Sequence, residues 1–160
     1  MTAVAVAGAS GRMGRMLIEA VLASADCTLA GALDAPASPA VGRDAGAALG
    51  RATGVVVESE LARGLAAAEV LIDFTRPAGT LAHLAACRER GIAMVIGTTG
   101  FTPAEKALIG AAATTLPIVL APNMSVGVNV VLRLLGLATR WLGDAYDVGV
   151  VKAHHRRKRS

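Results

Sequence analysis

The chain has 160 residues, enough for one domain with a sizeable core. Hydrophobic residues make up 54% of it and aromatics only 2%, which argues against an aromatic-filled all-β sandwich and for Val/Leu-rich strands under Ala-rich helices. The net charge of +4 comes from a terminal basic run, Lys152, Arg156, Arg157, Lys158 and Arg159, so the body is near neutral and no nucleic-acid partner is expected.

The first strand-like run is Ala3–Ala7. It passes straight into Gly8-Ala9-Ser10-Gly11-Arg12-Met13-Gly14 and an amphipathic helix over Arg12–Ser24. A second strand is expected over Thr28–Leu33, ending at Asp34. The stretch Asp34–Gly54 carries Pro36, Pro39, Gly42, Gly46 and Gly50 and reads as a loop with room for one helical turn. Strands are then expected at Gly54–Val57, Val70–Phe74, Ala93–Ile96, Ile118–Leu120 and Val148–Val151. Helices fall between them at Leu61–Ala67, Thr80–Arg90, Pro103–Ala113 and Val126–Leu142. Thr102 before Pro103 reads as an N-cap with proline at the first helical position, Ser125 as a second cap, and Gly91 as a helix stop. Alternating strands and helices predict an α/β, Rossmann-like, doubly wound and mostly parallel sheet.

The glycine loop carries the first functional expectation. Gly8 lets the chain leave the strand in a tight turn. Gly11 removes a side chain where backbone approaches a pyrophosphate, and Gly14 lets the helix pack close to the strand. Free N–H groups at the helix start then face the phosphates. Ser10 stands where glycine is common. Asp34 lies about 20 residues past the last glycine, where an acid receives the ribose hydroxyls of NAD. Ala35 follows it, with no Arg to pair with a 2′-phosphate. NADH is therefore the preferred cofactor, with NADPH left open through Arg12 or Arg76.

Other partners are read by elimination. No apolar run reaches the roughly 18 residues of a membrane span. The start lacks a basic region followed by an apolar one, so no secretory signal is expected and a cytoplasmic location is. Cys27 and Cys87 form no CxxC pair and no disulfide framework, in keeping with thiols in a reducing compartment. His83 reads as structural, near Cys87 on a helix. No metal site is expected, because neither a carboxylate nor a cysteine is spaced to join His154 and His155.

Four further segments are Asp73-Phe74-Thr75-Arg76-Pro77, Gly97-Thr98-Thr99-Gly100-Phe101, Ala121-Pro122-Asn123-Met124-Ser125-Val126-Gly127-Val128-Asn129 and Ala153-His154-His155-Arg156-Arg157-Lys158. With the glycine loop, in this order and spacing, the chain resembles the dihydrodipicolinate reductase (4-hydroxy-tetrahydrodipicolinate reductase) family of bacterial diaminopimelate and lysine biosynthesis. The resemblance runs from Val4 to Lys158. It implies NAD(P)H-dependent reduction of a cyclic dicarboxylate, 4-hydroxy-tetrahydrodipicolinate, to tetrahydrodipicolinate. The cofactor-binding candidates are Gly8, Ala9, Ser10, Gly11, Arg12, Met13, Asp34, Gly97, Thr98, Thr99, Ala121, Pro122, Asn123 and Met124. Of these, Gly97–Thr99 would line the nicotinamide side, and Asn123 would hold the carboxamide. Pro77 is expected to force the chain out of its strand. By resemblance, His154 is the general acid, Lys158 assists proton delivery, and His155 binds substrate carboxylates.

The match breaks after Lys158. The family continues with Asp-Ala-Pro-Ser-Gly-Thr and a second α+β domain that supplies most of the substrate pocket and a homotetramer interface. Here Arg159-Ser160 follow, and Lys152 stands where the family commonly has Glu. The expected organisation is a dinucleotide-binding domain over residues 1–151 and a basic tail over 152–160 corresponding to the start of the hinge. A truncated or frameshifted product, a partial sequence and a deliberate fragment all remain open. The alternative to the enzyme is a non-catalytic NAD(P)-binding module.

Overall fold

A computed structural model describes residues 1–143 together with Tyr146 and Gly149. Among the described residues six strands form one sheet: β1 (Thr2–Ala7), β2 (Cys27–Leu33), β3 (Val57–Glu58), β4 (Val70–Asp73), β5 (Ala93–Ile96) and β6 (Ile118–Leu120). Their spatial order is β3-β2-β1-β4-β5-β6, and every pairing is parallel. The helices are α1 (Arg12–Ala23), α2 (Leu61–Gly64), α3 (Pro77–Arg90), α4 (Pro103–Ala112) and α5 (Val126–Leu142). Of the strand expected at Val148–Val151, all residues but Gly149 lie outside the described residues.

The chain forms two compact units, Met1–Pro122 and Asn123–Ser160. The first holds the whole sheet and helices α1 to α4. Side chains of β1 alternate between its two faces, as strand geometry requires. Val4 and Val6 join Ile18 and Val21 of α1 in one core cluster. Ala5 and Ala7 join Leu84 and Cys87 of α3 and Ile109 of α4 in the other. Burial on both faces explains why β4 reads as an apolar run rather than an alternating one. The described part of the second unit is α5, opened by Ser125, whose Oγ accepts from the Val128 N–H.

Several element bounds differ from the sequence expectation. Phe74 is not in β4, which ends at Asp73. Pro77 does not merely eject the chain from that strand; it is the first residue of α3, three positions before the expected start at Thr80. A proline there forfeits nothing, since that N–H has no intrahelical partner. The strand expected at Gly54–Val57 is instead Val57–Glu58, because Gly54 is left-handed and Val56 forms only an isolated bridge to Asp44. The helix at Leu61 stops at Gly64 rather than Ala67. In the long loop, a 3-10 turn covers Ala47–Leu49. Asp44 organises this loop by accepting from the N–H groups of Gly46, Thr53 and Gly54 and from the Thr53 hydroxyl.

Candidate functional site

The last residues of five strands stand in one row. Ala7 pairs with Leu33 on one side and Asp73 on the other, Asp73 with Ile96, and Ile96 with Leu120. The next residues, Asp34, Gly8, Phe74, Gly97 and Ala121, therefore lie along a single carboxyl edge. Between β1 and β4 the order of strands reverses, and this is where open α/β sheets form a ligand crevice.

The glycine loop sits at that reversal. Gly8 has φ +71°, a left-handed conformation that suits glycine. A Cβ on Gly14 would overlap the Gly8 carbonyl oxygen, so only glycine lets α1 start this close to the strand end. Gly11, the N-cap of α1, makes no side-chain cap, and the helix bonding starts with Arg15 N–H to Gly11 O. The N–H groups of Arg12, Met13 and Gly14 thus belong to an uncapped first turn. By contrast, α4 is closed by a reciprocal Thr102–Glu105 capping box and α5 by Ser125.

Ser10 is accommodated without strain, since no residue other than glycine has positive φ among the described residues. Its N–H donates to Asp34 Oδ2 at 2.8 Å, and its Oγ lies 3.3 Å from Ser38 Oγ. The other carboxylate oxygen of Asp34 accepts the Ala35 N–H. Burial pushes the Asp34 carboxyl up, but hydrogen bonds from Ser10, Ala35 and Ser38 outweigh it and hold the group below the ordinary carboxylate range. A half-buried carboxylate is thereby fixed against the loop with acceptor capacity to spare. Beside Ser10, a cleft of about 270 Å³ is lined in part by Arg15, Pro39, Ala40 and Arg43. Arg15 Nε donates to the Ser10 carbonyl. A larger cleft of about 430 Å³, lined by Ala85, Arg88, Glu89 and Thr115, belongs to the C-terminal end of α3, away from the strand carboxyl ends.

A buried polar network lies under the next two loops, and the sequence reading did not anticipate it. Asp73 is fully buried. Its Oδ1 accepts from the Thr75 N–H and hydroxyl at 2.9 and 2.7 Å and from the Thr98 hydroxyl at 3.3 Å. Its Oδ2 lies 2.7 Å from His83 Nδ1. A carboxylate only accepts, so the proton of this bond sits on Nδ1. The Thr98 hydroxyl also accepts from the Thr75 N–H and the Thr80 hydroxyl, both at 3.0 Å. Burial raises the Asp73 carboxyl, yet the bonds from His83 and Thr75 bring it below its ordinary range. Burial pushes the neighbouring Cys87 thiol up to about 12, which keeps it protonated at neutral pH. The signal in the sequence was Thr80 and His83, three apart on one helix face, following an apolar strand that ends in Asp.

The expected site residues are thus divided. Gly8–Met13, Asp34, Gly97–Thr99, Ala121 and Pro122 share the carboxyl edge of the first unit. Thr98 is buried and Thr99 exposed. Asn123 and Met124 belong to the second unit, where Asn123 Oδ1 accepts the Ser125 N–H and the Asn123 carbonyl accepts from Asn129 Nδ2. His154, His155 and Lys158 lie outside the described residues. Among the described residues no group of three or more His, Cys, Asp or Glu is placed to hold a metal, and no helix is long and apolar enough to cross a membrane.

The parallel sheet with its order reversing at β1 and β4, and a glycine loop opening an uncapped helix at that point, define the Rossmann dinucleotide-binding class. Comparison with known proteins narrows this. The family description "Dihydrodipicolinate reductase, N-terminus" matches residues 2–124, and the chain belongs to that family. It is 60% identical over 155 residues to the 4-hydroxy-tetrahydrodipicolinate reductase of Herminiimonas arsenicoxydans, covering 97% of this chain and 58% of the relative. Its identity to the protein of the same name in Aromatoleum aromaticum is 59%, covering 56% of that relative. A solved structure, a dipicolinate-bound dihydrodipicolinate reductase from Paenisporosarcina sp. TG-14, matches with a TM-score of 0.70 at 25% identity, over 86% of this chain and 53% of that one. The chain therefore spans a little over half the length of the curated relatives it matches.

Proposed function

We propose that this chain is the dinucleotide-binding part of an NAD(P)H-dependent 4-hydroxy-tetrahydrodipicolinate reductase. The observation that carries the reading is the joint geometry of the uncapped α1 turn and Asp34 at the sheet's reversal point. The residues fit a dinucleotide. Gly8, Gly11 and Gly14 leave the loop free of side chains, and the N–H groups of Arg12 and Met13 face outward from a positive helix end. Asp34 would receive the ribose hydroxyls. Its low carboxyl is charged at neutral pH and repels a 2′-phosphate, and Ala35 offers no counter-charge, so NADH is the preferred cofactor. Gly97–Thr99, Ala121 and Pro122 would line the nicotinamide end, and by the family resemblance Asn123 and Met124 are further cofactor-binding candidates. When bound, the cofactor supplies the hydride.

The substrate proposed from the family is a cyclic dicarboxylate, and dipicolinate in the solved relative is of that class. By the same resemblance His154 would deliver the proton with Lys158 assisting, and His155 would meet a carboxylate. The dinucleotide-binding domain is proposed for residues 1–151, with 152–160 as the start of a hinge. The other reading, a non-catalytic NAD(P)-binding module, differs from the enzyme in one measurable respect, substrate-dependent turnover. Calorimetric titration with NADH and NADPH, beside a substrate-dependent NADH oxidation assay, tests both. The expected result is one NADH site per chain, bound more tightly than NADPH. Full turnover would overturn the module reading, and folded protein that binds neither nucleotide would overturn the domain reading.

A further inference from the structure

We propose that Asp73 and His83 are positioning residues that hold the Gly97–Thr99 loop for the nicotinamide end of the dinucleotide. The inference rests on the dinucleotide-binding reading and deepens it. Asp73 is fully buried and the His83 side chain is only 13% exposed, so neither presents itself to a ligand; they act through Thr75 and Thr98.

Three observations converge on the loop. Thr98 is locked from below, since its hydroxyl bonds Thr75, Thr80 and Asp73 at once. Gly97 is held from the side by the Phe74 ring, which a Cβ at that position would overlap. Thr75, the direct partner of Asp73, also abuts the phosphate loop, as a Cβ on Gly8 would come within 3.1 Å of its methyl group. One carboxylate thus ties the loops after β4 and β5 together, and the loop after β1 meets them only through packing against Thr75. Packing alone would not need a charge here. A buried carboxylate is costly to desolvate, and it is tolerated only where directional, charge-assisted bonds satisfy both oxygens. His83 supplies the bond to the second oxygen and so fixes the carboxylate's rotation. Without it, Oδ2 is left buried and unpaired, and Thr75 and Thr98 lose their common reference. The phosphate and Asp34 end keeps its own bonds, which involve none of these groups.

The test compares NADH with ADP-ribose, which lacks the nicotinamide, on the full chain. His83→Leu and Asp73→Asn should weaken NADH by about tenfold and ADP-ribose by less than about twofold. His83→Asn, whose amide nitrogen can take the place of Nδ1, should restore NADH to within about threefold of the wild type. Should the Asp73 and His83 variants fail to fold, Thr98→Val against Thr98→Ser reads the same lock from the loop side, with selective loss of NADH binding only in the valine variant. Equal losses for both ligands, or unchanged NADH binding in folded His83→Leu or Thr98→Val, would overturn the inference while leaving the domain reading intact. A wild type that binds neither ligand would bring down the domain reading, and the inference with it.

Discussion

A methyl group at Gly14 would overlap the carbonyl oxygen of Gly8, and that one contact sets how closely α1 approaches the sheet. Gly14→Ala should therefore destabilise the fold by about 1–3 kcal/mol, the usual cost of forcing volume into a packed site. It should also weaken NADH binding, because α1 must back away from the loop. Urea unfolding beside an NADH titration checks both, and a neutral substitution would mean that the loop is looser than its geometry. At this scale the glycines were legible in the sequence, since few residue types satisfy a left-handed turn and a close helix approach. The partners of Asp34 were not. Its spacing from the loop is visible in one dimension, but the Ser10 N–H that fixes it comes from 24 positions away. For the same reason Ser10 looked like a departure, whereas in three dimensions it serves Asp34 through its backbone and meets Ser38 through its side chain.

At the scale of elements, the Asp73 network joins β4, α3 and the loop after β5. Its pH dependence follows from the low Asp73 carboxyl. A group held lower in the fold than in the unfolded chain adds stability above its unfolded value, and that contribution is lost as pH falls through the folded value. Stability should thus decline below the ordinary carboxylate value of 3.8, and the decline should be shallower in Asp73→Asn. Thermal melts across that range check this; equal slopes for wild type and variant would mean that the network contributes nothing to acid stability. Caps were the most legible features here. Thr102 capped α4 ahead of Pro103 as expected, with Glu105 completing a capping box, and Gly91 closed α3. Pro77 was misread because a proline after a strand can equally end one element or begin the next, and only the tertiary contacts of Thr80 and His83 decide for the helix. The short β3 was displaced because Asp44 gathers the donors around Gly54, removing that stretch from the sheet.

For the molecule as a whole, the alternation of strands and helices was enough to foresee a parallel α/β sheet. The row of strand ends that makes the site was implicit in the strand order, which parallel connections constrain strongly. What sequence periodicity cannot show is which side chains beneath that row hold it in place. The carboxyl edge, from the glycine loop to the loop after β5, is the surface proposed to receive a dinucleotide. Backbone amide mapping by NMR during titration with NADH tests it most directly. The largest shifts are expected at Gly8–Arg15, Ala35 and Gly97–Thr99, with a smaller set confined to the first two when ADP-ribose is used. Saturating NADH that leaves the Gly8–Arg15 amides unmoved would contradict it.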